Sequence, residues 1–358
     1  MFYYMPVKVY EEKDCVAKHA EELASFGRKA LIVTGAHSAK ANGSLDDVIN
    51  ALKSEKTEYA IFDKVEENPS VETIMRARDF GLSENADFLI GIGGGSPMDA
   101  AKAIAYMMKN KDLTSEALFD KGAVSDYLPV IAVPTTCGTG SEVTGVSVLT
   151  RNDIHTKMSM THKIFPSLAL IDAKYLLTAS RNVIVNTTMD AFAHLVESYI
   201  NSTATEFSRD IAITGLKYWS LSREIILNNE KPSYDNLRNM LLASTYGGMA
   251  IAHTGTSLPH GLSYALTYNT HMAHGKACGY FIGGYLAESD KEEVGTVLRA
   301  AGFSSIDDFN KYYENTCGRD TVSSDILELS IKDILTNPGK QKKAPFPVDE
   351  KVLRRIAL

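Results

Sequence analysis

Apolar and polar positions along this chain follow two rhythms, one before about residue 178 and another after it. In the first stretch, short unbroken apolar runs are separated by segments with helical spacing. Residues 29–34 form such a run, closed by Gly35. It reads as a strand buried on both faces, as in a parallel sheet covered by helices. Residues 58–63, 87–91 and 129–133 repeat the pattern. Helical spacing over residues 14–25 and 70–80, and a further helix start at Ser44, fill the intervals; Ser44 with Asp47 three residues on suggests a capped first turn. A short apolar start over residues 1–10 and short segments from Val146 to Asp172 complete this half. Strands alternating with helices imply parallel pairing through crossover helices.

Beyond Thr178 only the helical period remains, over residues 186–201, 207–228, 234–252 and beyond 289, with no convincing strand. The boundary is expected within residues 176–180. That gives an α/β domain over residues 1–178 and an all-helical domain over 179–358, a division consistent with the length. The cleft between them is the expected ligand site.

Composition narrows the partners. A formal charge of −7 offers no basic field for nucleic acid or an anionic membrane surface, so a small molecule is the expected partner. No apolar run approaches the roughly 18 residues of a membrane-spanning helix. Four cysteines, Cys15, Cys137, Cys278 and Cys317, show no CxxC spacing, and no cleavable leader is recognisable. A reduced cytoplasm is the expected compartment.

Chemistry enters at a glycine cluster, Gly91-Ile-Gly-Gly-Gly-Ser-Pro-Met-Asp99, set between a strand and a helix. In that setting free backbone N–H groups at a helix start, approached closely because glycines leave room, hold a pyrophosphate. Ser96 is expected as cap, Pro97 at the first helical position and Asp99 as the capping-box acid. The spacing departs from the ordinary dinucleotide fingerprint: the third small residue is serine, and the motif follows the third predicted strand. A second polar loop, Thr135 to Glu142, follows another strand end, where α/β sheets bind ligands.

In the helical half, Asp190 and His194 lie four apart and so share a helix face. His260 and His274 follow in later segments. One carboxylate with three imidazoles suits a divalent first-row ion such as Fe(II) or Zn(II). The only thiol in these segments is Cys278.

Taken together, residues 93–102, 134–142, the Asp190-x-x-x-His194 pair and His260 with His274 make the chain resemble the iron-containing (group III) alcohol dehydrogenases, notably NADP-linked butanol and propanediol dehydrogenase-type members. That family is similar in fold to glycerol dehydrogenases and dehydroquinate synthases. The resemblance implies a dehydroquinate synthase-like two-domain architecture: a nucleotide-binding α/β domain and a helical metal-binding domain, assembled as a homodimer or larger homo-oligomer. Asp190, His194, His260 and His274 match the family's metal ligands. Asn68, Gly94, Gly95, Ser96, Asp99, Thr135, Thr136, Thr144, Val146, Lys157 and Leu176 match cofactor positions. The implied reaction is hydride transfer between NAD(P)(H) and a small primary alcohol or aldehyde, with the metal as Lewis acid.

Two positions depart from the family. NAD-preferring members carry an aspartate where this chain has Gly35, followed by His37, Ser38 and Lys40. Without that carboxylate a 2′-phosphate is not repelled, and His37, Ser38 or Lys40 can donate to it, which favours NADP while leaving NAD open. Tyr264 stands where many relatives have a proton-relaying histidine. A tyrosine of ordinary pKa about 10 needs a nearby cation to relay protons at neutral pH; Tyr264, His271, the cofactor ribose or water remain candidates. Two alternatives share the scaffold, a zinc glycerol dehydrogenase-like polyol oxidoreductase and a dehydroquinate-synthase-like lyase. The lyase needs a cationic cluster for a polyanionic substrate, and the metal-ligand segments offer only Lys276. A catalytically silent metalloprotein is the remaining alternative.

Overall fold

The computed structural model describes residues 3–358 and divides into two compact units. One comprises Met5–Thr136 and Ser141–Ala179; the other comprises residues 3–4, Cys137–Gly140 and Ser180–Leu358. The first two residues of the apolar start lie outside the described residues.

The first unit is built on six parallel strands: β1 (Lys8–Glu11), β2 (Lys29–Thr34), β3 (Glu58–Phe62), β4 (Phe88–Gly93), β5 (Val130–Pro134) and β8 (Leu168–Ile171), in the lateral order β1-β8-β5-β4-β2-β3. β6 (Val148–Arg151) and β7 (Thr156–Ser159) form a separate antiparallel hairpin. The apolar runs are double-sided because helices cover both faces. Leu31, Val33 and Leu89 pack into one core with helices α2 (Val71–Ser83) and α3 (Gly95–Lys109). Their neighbours Ala30, Ile32, Phe88 and Ile90 pack into the opposite core with α1 (Ser44–Ser54). This is the two-residue period of a strand read out on two faces.

Three local expectations change. The apolar start contains β1, whose partner is β8, about 160 residues away, so the glycine cluster follows the fourth strand. Gly43 occupies the cap position of α1, and Ser44 is its first residue, with its hydroxyl donating to the Asn42 side chain (2.7 Å). Ser96 lies inside the first turn of α3, whose cap is Gly94. Ser70 does cap α2, accepting from the Thr73 N–H (3.2 Å). Chain order reverses between β2 and β4, so the turns at Gly35 and Gly94 flank a topological switch point, the usual ligand position in such sheets.

The second unit is helical; among the described residues no strand occurs beyond Ile171. Its central element is α4 (Arg181–Tyr199), capped by Ser180 and buried almost continuously from Thr188 to Ser198. A helix buried all round needs neighbours on every side. Those are α5 (Glu206–Ser220), α6 (Tyr234–Thr254) and α8 (His274–Ala287), with α7 (Leu258–Thr270) packed on α8. The apolar stretch 207–228 is two helices, because the chain turns at Leu221–Ser222. Trp219, Phe303 and Phe309 pack their rings around Phe192 in the middle of α4, and the Trp219 indole N–H donates to the Thr188 carbonyl (2.9 Å).

Candidate metal and nucleotide sites

Three helices bring the metal-ligand candidates together. Asp190 and His194 sit one turn apart on α4, His260 in the first turn of α7, and His274 opens α8. α7 ends at His271, whose backbone is left-handed (φ 56°), and only three residues link it to α8. The chain therefore reverses sharply, and the His260 and His274 rings lie 5.3 Å apart. Gly275 completes the approach: a β-carbon there would collide with the Asn186 carbonyl oxygen of α4, so glycine lets α8 lie against Asp190.

Everything converges on Asp190 Oδ1. The Nε2 atoms of His260, His274 and His194 lie 3.4, 3.8 and 4.0 Å from it. Asp190 Oδ1 and His260 Nε2 are buried and have no hydrogen-bond partner. Such atoms cost on the order of 1–3 kcal/mol each unless something binds them, and a divalent ion does so for both. The donor chemistry fits. One difference from the expected set is informative: the donors that lie mutually within 4.8 Å are those of Asp190, His260, His274 and Cys278. His194 stands beside this group, with its ring stacked on His260 at 4.4 Å.

The orientation of each imidazole has a cause. His194 Nδ1 is 3.1 Å from the Gly138 carbonyl, so its proton resides there and Nε2 is left bare. His260 Nδ1 contacts the Glu197 carboxylate, whose other oxygen accepts the His260 backbone N–H (2.9 Å). Glu197 is fully buried. It both fixes the His260 tautomer and caps α7, whose N-cap Ser257 makes no side-chain cap.

Electrostatics follow from this crowding. Burial opposes ionisation of Asp190, but the three surrounding histidines outweigh it and hold the carboxyl well below its usual range. Burial pushes the His194 imidazole down to about 4, against the pull of Asp190. Burial also opposes a thiolate at Cys278, yet His260 and His274 bring it down to about 7. Tyr264, 38% exposed, lies with its ring nearly parallel to His274 at 6.2 Å, and the Lys340 ammonium sits over the Tyr264 ring, 5.6 Å from its centre. Lys276 is paired with Asp320 (2.5 Å).

In the first unit most of the predicted cofactor residues form one linked surface. Gly93 takes a φ of 148° as the chain leaves β4, and the Thr135 N–H donates to its carbonyl (2.8 Å). Thr136 packs against Gly94, the residue before α3, which starts without a side-chain cap. Ser96 Oγ accepts from the Asn68 N–H (3.0 Å), and Lys157 Nζ donates to Asn68 Oδ1 (2.9 Å). Asp99 is no capping acid: it accepts from Ser141 Oγ (2.6 Å) and the Val148 N–H (2.9 Å). Its partner is Lys102, fully buried, which donates to Ser141 Oγ (2.6 Å) and the Val146 carbonyl (2.8 Å) and lies 3.4 Å from Thr144 Oγ1. Gly35, His37 and Ser38 follow β2, where Lys40 is paired with Asp63 (2.8 Å). Leu176 is buried in a 3₁₀ turn after β8, and no described contact joins it to the others.

Sequence reasoning missed Glu197 and Lys102. Glu197 falls seven residues after Asp190, on the same face of α4, and that spacing was the available signal. Lys102 interrupts the otherwise apolar run Ala100–Met108 of α3, where a lone charge implies a buried partner.

Comparison with known proteins gives this arrangement a lineage. Residues 6–173 match the family model for iron-containing alcohol dehydrogenase, and residues 184–307 the model for the Fe-containing alcohol dehydrogenase family, C-terminal. An iron-containing alcohol dehydrogenase structure from Thermotoga maritima is 36% identical and covers 99% of this chain and 98% of its own, with a TM-score of 0.91. An NADPH-dependent butanol dehydrogenase of Clostridium saccharobutylicum is 27% identical over 79% of this chain and 72% of its own. An NAD-dependent methanol dehydrogenase of Bacillus methanolicus is 30% identical over 69% of this chain and 65% of its own.

The fold and site are those of a metal-dependent oxidoreductase that uses a nicotinamide cofactor on alcohols or aldehydes. Within that class, the chain belongs to the iron-containing alcohol dehydrogenase family. The lyase and polyol-oxidoreductase alternatives are not favoured by these matches.

Proposed function

We propose that this chain interconverts a small primary alcohol and its aldehyde, with NADP as the preferred cofactor and Fe(II), alternatively Zn(II), held by Asp190, His194, His260 and His274. The observation that carries the reading is the pair of buried, unpartnered atoms, Asp190 Oδ1 and His260 Nε2, with the other imidazole nitrogens around them. An ion bound there supplies Lewis-acid polarisation of the substrate oxygen. The chain's own residues do the rest. Glu197 and the Gly138 carbonyl keep the His260 and His194 protons on Nδ1. Tyr264, exposed beside His274, lines the substrate side of the centre. Asn68, Gly94, Gly95, Ser96, Thr135, Thr136, Thr144 and Lys157 bind the cofactor, supported by the links among them.

NADP preference rests on Gly35, which places no carboxylate at the end of β2. Because Lys40 is paired with Asp63, His37 and Ser38 are the donors left for a 2′-phosphate. The pairing of Lys276 with Asp320 speaks against a polyanionic substrate. We further infer a cytoplasmic homodimer or larger homo-oligomer. Four cysteines without a disulfide accord with a reducing compartment, and no helix among the described residues is long and apolar enough to cross a membrane. The dimer rests on the family resemblance.

The test is oxidation of NADPH and NADH with butanal, propanal, glycolaldehyde and dihydroxyacetone, on protein reconstituted anaerobically with Fe(II) or Zn(II). Faster NADPH oxidation with butanal or propanal and Fe(II) is expected. Activity confined to dihydroxyacetone with Zn(II) would move the chain to polyol chemistry, and silence with every aldehyde would overturn the substrate. His274→Ala is expected to lose both metal and turnover while keeping its helical circular dichroism.

A further inference from the structure

The ion pair at the end of β2 does more than occupy Lys40. β2 and β3 are parallel neighbours, and the register that sets Phe62 beside Val33 carries Asp63 out beside Thr34, one residue short of Gly35. The two chains stay together past that point. The Val65 N–H donates to the Thr34 carbonyl (3.2 Å), and a β-carbon on Gly35 would lie 3.4 Å from the Val65 carbonyl oxygen. Neighbouring strands run about 4.8 Å apart. The corner that lacks a carboxylate on β2 therefore has one on the exit of β3.

That carboxylate is not bare. Lys40 lies on the helical turn Ser38–Ala41, which is fixed by the buried Ala39 and by the Ala41 and Asn42 N–H groups donating to the His37 and Ser38 carbonyls (both 3.0 Å). Its ammonium meets Asp63 Oδ2 at 2.8 Å and holds the Asp63 carboxyl below its usual range. Lys64, next along the chain, adds a weaker field of the same sign. The Lys40 and Asp63 side chains are 55% and 35% exposed, so their pairing contributes little to stability. Its effect on an approaching anion is larger. A bare carboxylate and a phosphate dianion about 6 Å apart in water repel enough to change affinity roughly tenfold, whereas a paired carboxylate presents a dipole, whose field falls off faster.

We propose that Lys40 is a determinant of cofactor choice that acts by masking Asp63, which lets the adenosine ribose site take a 2′-phosphate. Lys40 does this without touching the phosphate, and His37 and Ser38 remain its donors. Unmasked, Asp63 repels the phosphate and accepts from a ribose 2′-hydroxyl, the part an acid at a strand end plays in NAD-binding sheets. The inference rests on the proposed NADP site, and its test separates the two.

Dissociation constants for NADPH and NADH are measured by calorimetry on the metal-reconstituted full-length protein and on Lys40→Met, Asp63→Asn and the double variant, with circular dichroism to verify folding. The unsubstituted protein is expected to bind NADPH more tightly. Lys40→Met is expected to move the NADPH/NADH affinity ratio roughly tenfold toward NADH. Asp63→Asn should keep the native ratio or raise it, and the double variant should recover the native ratio, because no carboxylate is left to mask. An unchanged ratio in Lys40→Met overturns the mask. So does a double variant shifted as far as Lys40→Met, which makes Lys40 a direct ligand of the phosphate, and so does a ratio that falls in Asp63→Asn. These three results leave the NADP reading standing as long as the unsubstituted protein prefers NADPH; tighter NADH binding there overturns that reading and this inference together.

Discussion

Glu197→Gln isolates one proton. In the native centre both carboxylate oxygens accept, one from the His260 backbone N–H at 2.9 Å and the other from the ring at Nδ1. The substitution keeps the shape and one acceptor. If that acceptor stays on the backbone N–H, the new amide NH₂ faces Nδ1–H, donor against donor. The ring escapes by moving its proton to Nε2, and a protonated Nε2 cannot ligate. If the amide turns over, the backbone N–H of a helix start is orphaned in a fully buried place. Either way the centre loses the arrangement that leaves His260 Nε2 bare. Losing such an orienting carboxylate lowers metal affinity roughly 10–100-fold, which is about 1.4–2.7 kcal/mol. The assay is Zn(II) or Co(II) competition against a chromophoric chelator at neutral pH, beside circular dichroism to verify the fold. An affinity indistinguishable from that of the unsubstituted protein, in a folded variant, would refute the tautomer argument.

Gly275→Ala is expected to lower metal occupancy and cost about 1–3 kcal/mol of stability, because its β-carbon meets the Asn186 carbonyl and lifts α8 from Asp190; metal content after dialysis and denaturant midpoints read the two effects. Lys102→Ala should destabilise the first unit by about 3 kcal/mol by leaving Asp99 and the Val146 carbonyl without their buried cation, and a guanidinium melt showing less than about 1 kcal/mol would contradict that role. Gly35→Asp is sterically tolerated, its β-carbon meeting only the Val65 carbonyl oxygen at 3.4 Å. It should shift kcat/KM toward NADH, and an unchanged NADPH/NADH ratio would remove the NADP argument.

Legibility in the sequence tracked the range of the interaction. The strand at residues 29–34 and the helix from Val71 were readable because apolar runs and a capping serine act locally. β1 was not, because its four residues become a strand only by lying beside β8. Ser44 and Ser96 were misassigned as caps: glycines precede both, and the serine hydroxyls are engaged by Asn42 and Asn68 instead. At the proposed metal centre, i,i+4 spacing singled out Asp190 and His194, whose facing atoms lie 4.0 Å apart. Glu197 escaped notice because its meaning lies in His260, 63 residues further on.

The position of Asp190 has a consequence for how the second unit assembles. Its carboxylate meets side chains 70 and 84 residues further along the chain, so an ion seated among them closes two long loops at one point. Loop closure is a cost the free chain must otherwise meet from packing alone. An ion bound there would therefore be a detachable cross-link between three helices as well as a reagent. Without it, the starts of α7 and α8 are where amide hydrogen exchange should quicken first, and metal scarcity would loosen the chain before the rest of the unit unfolds.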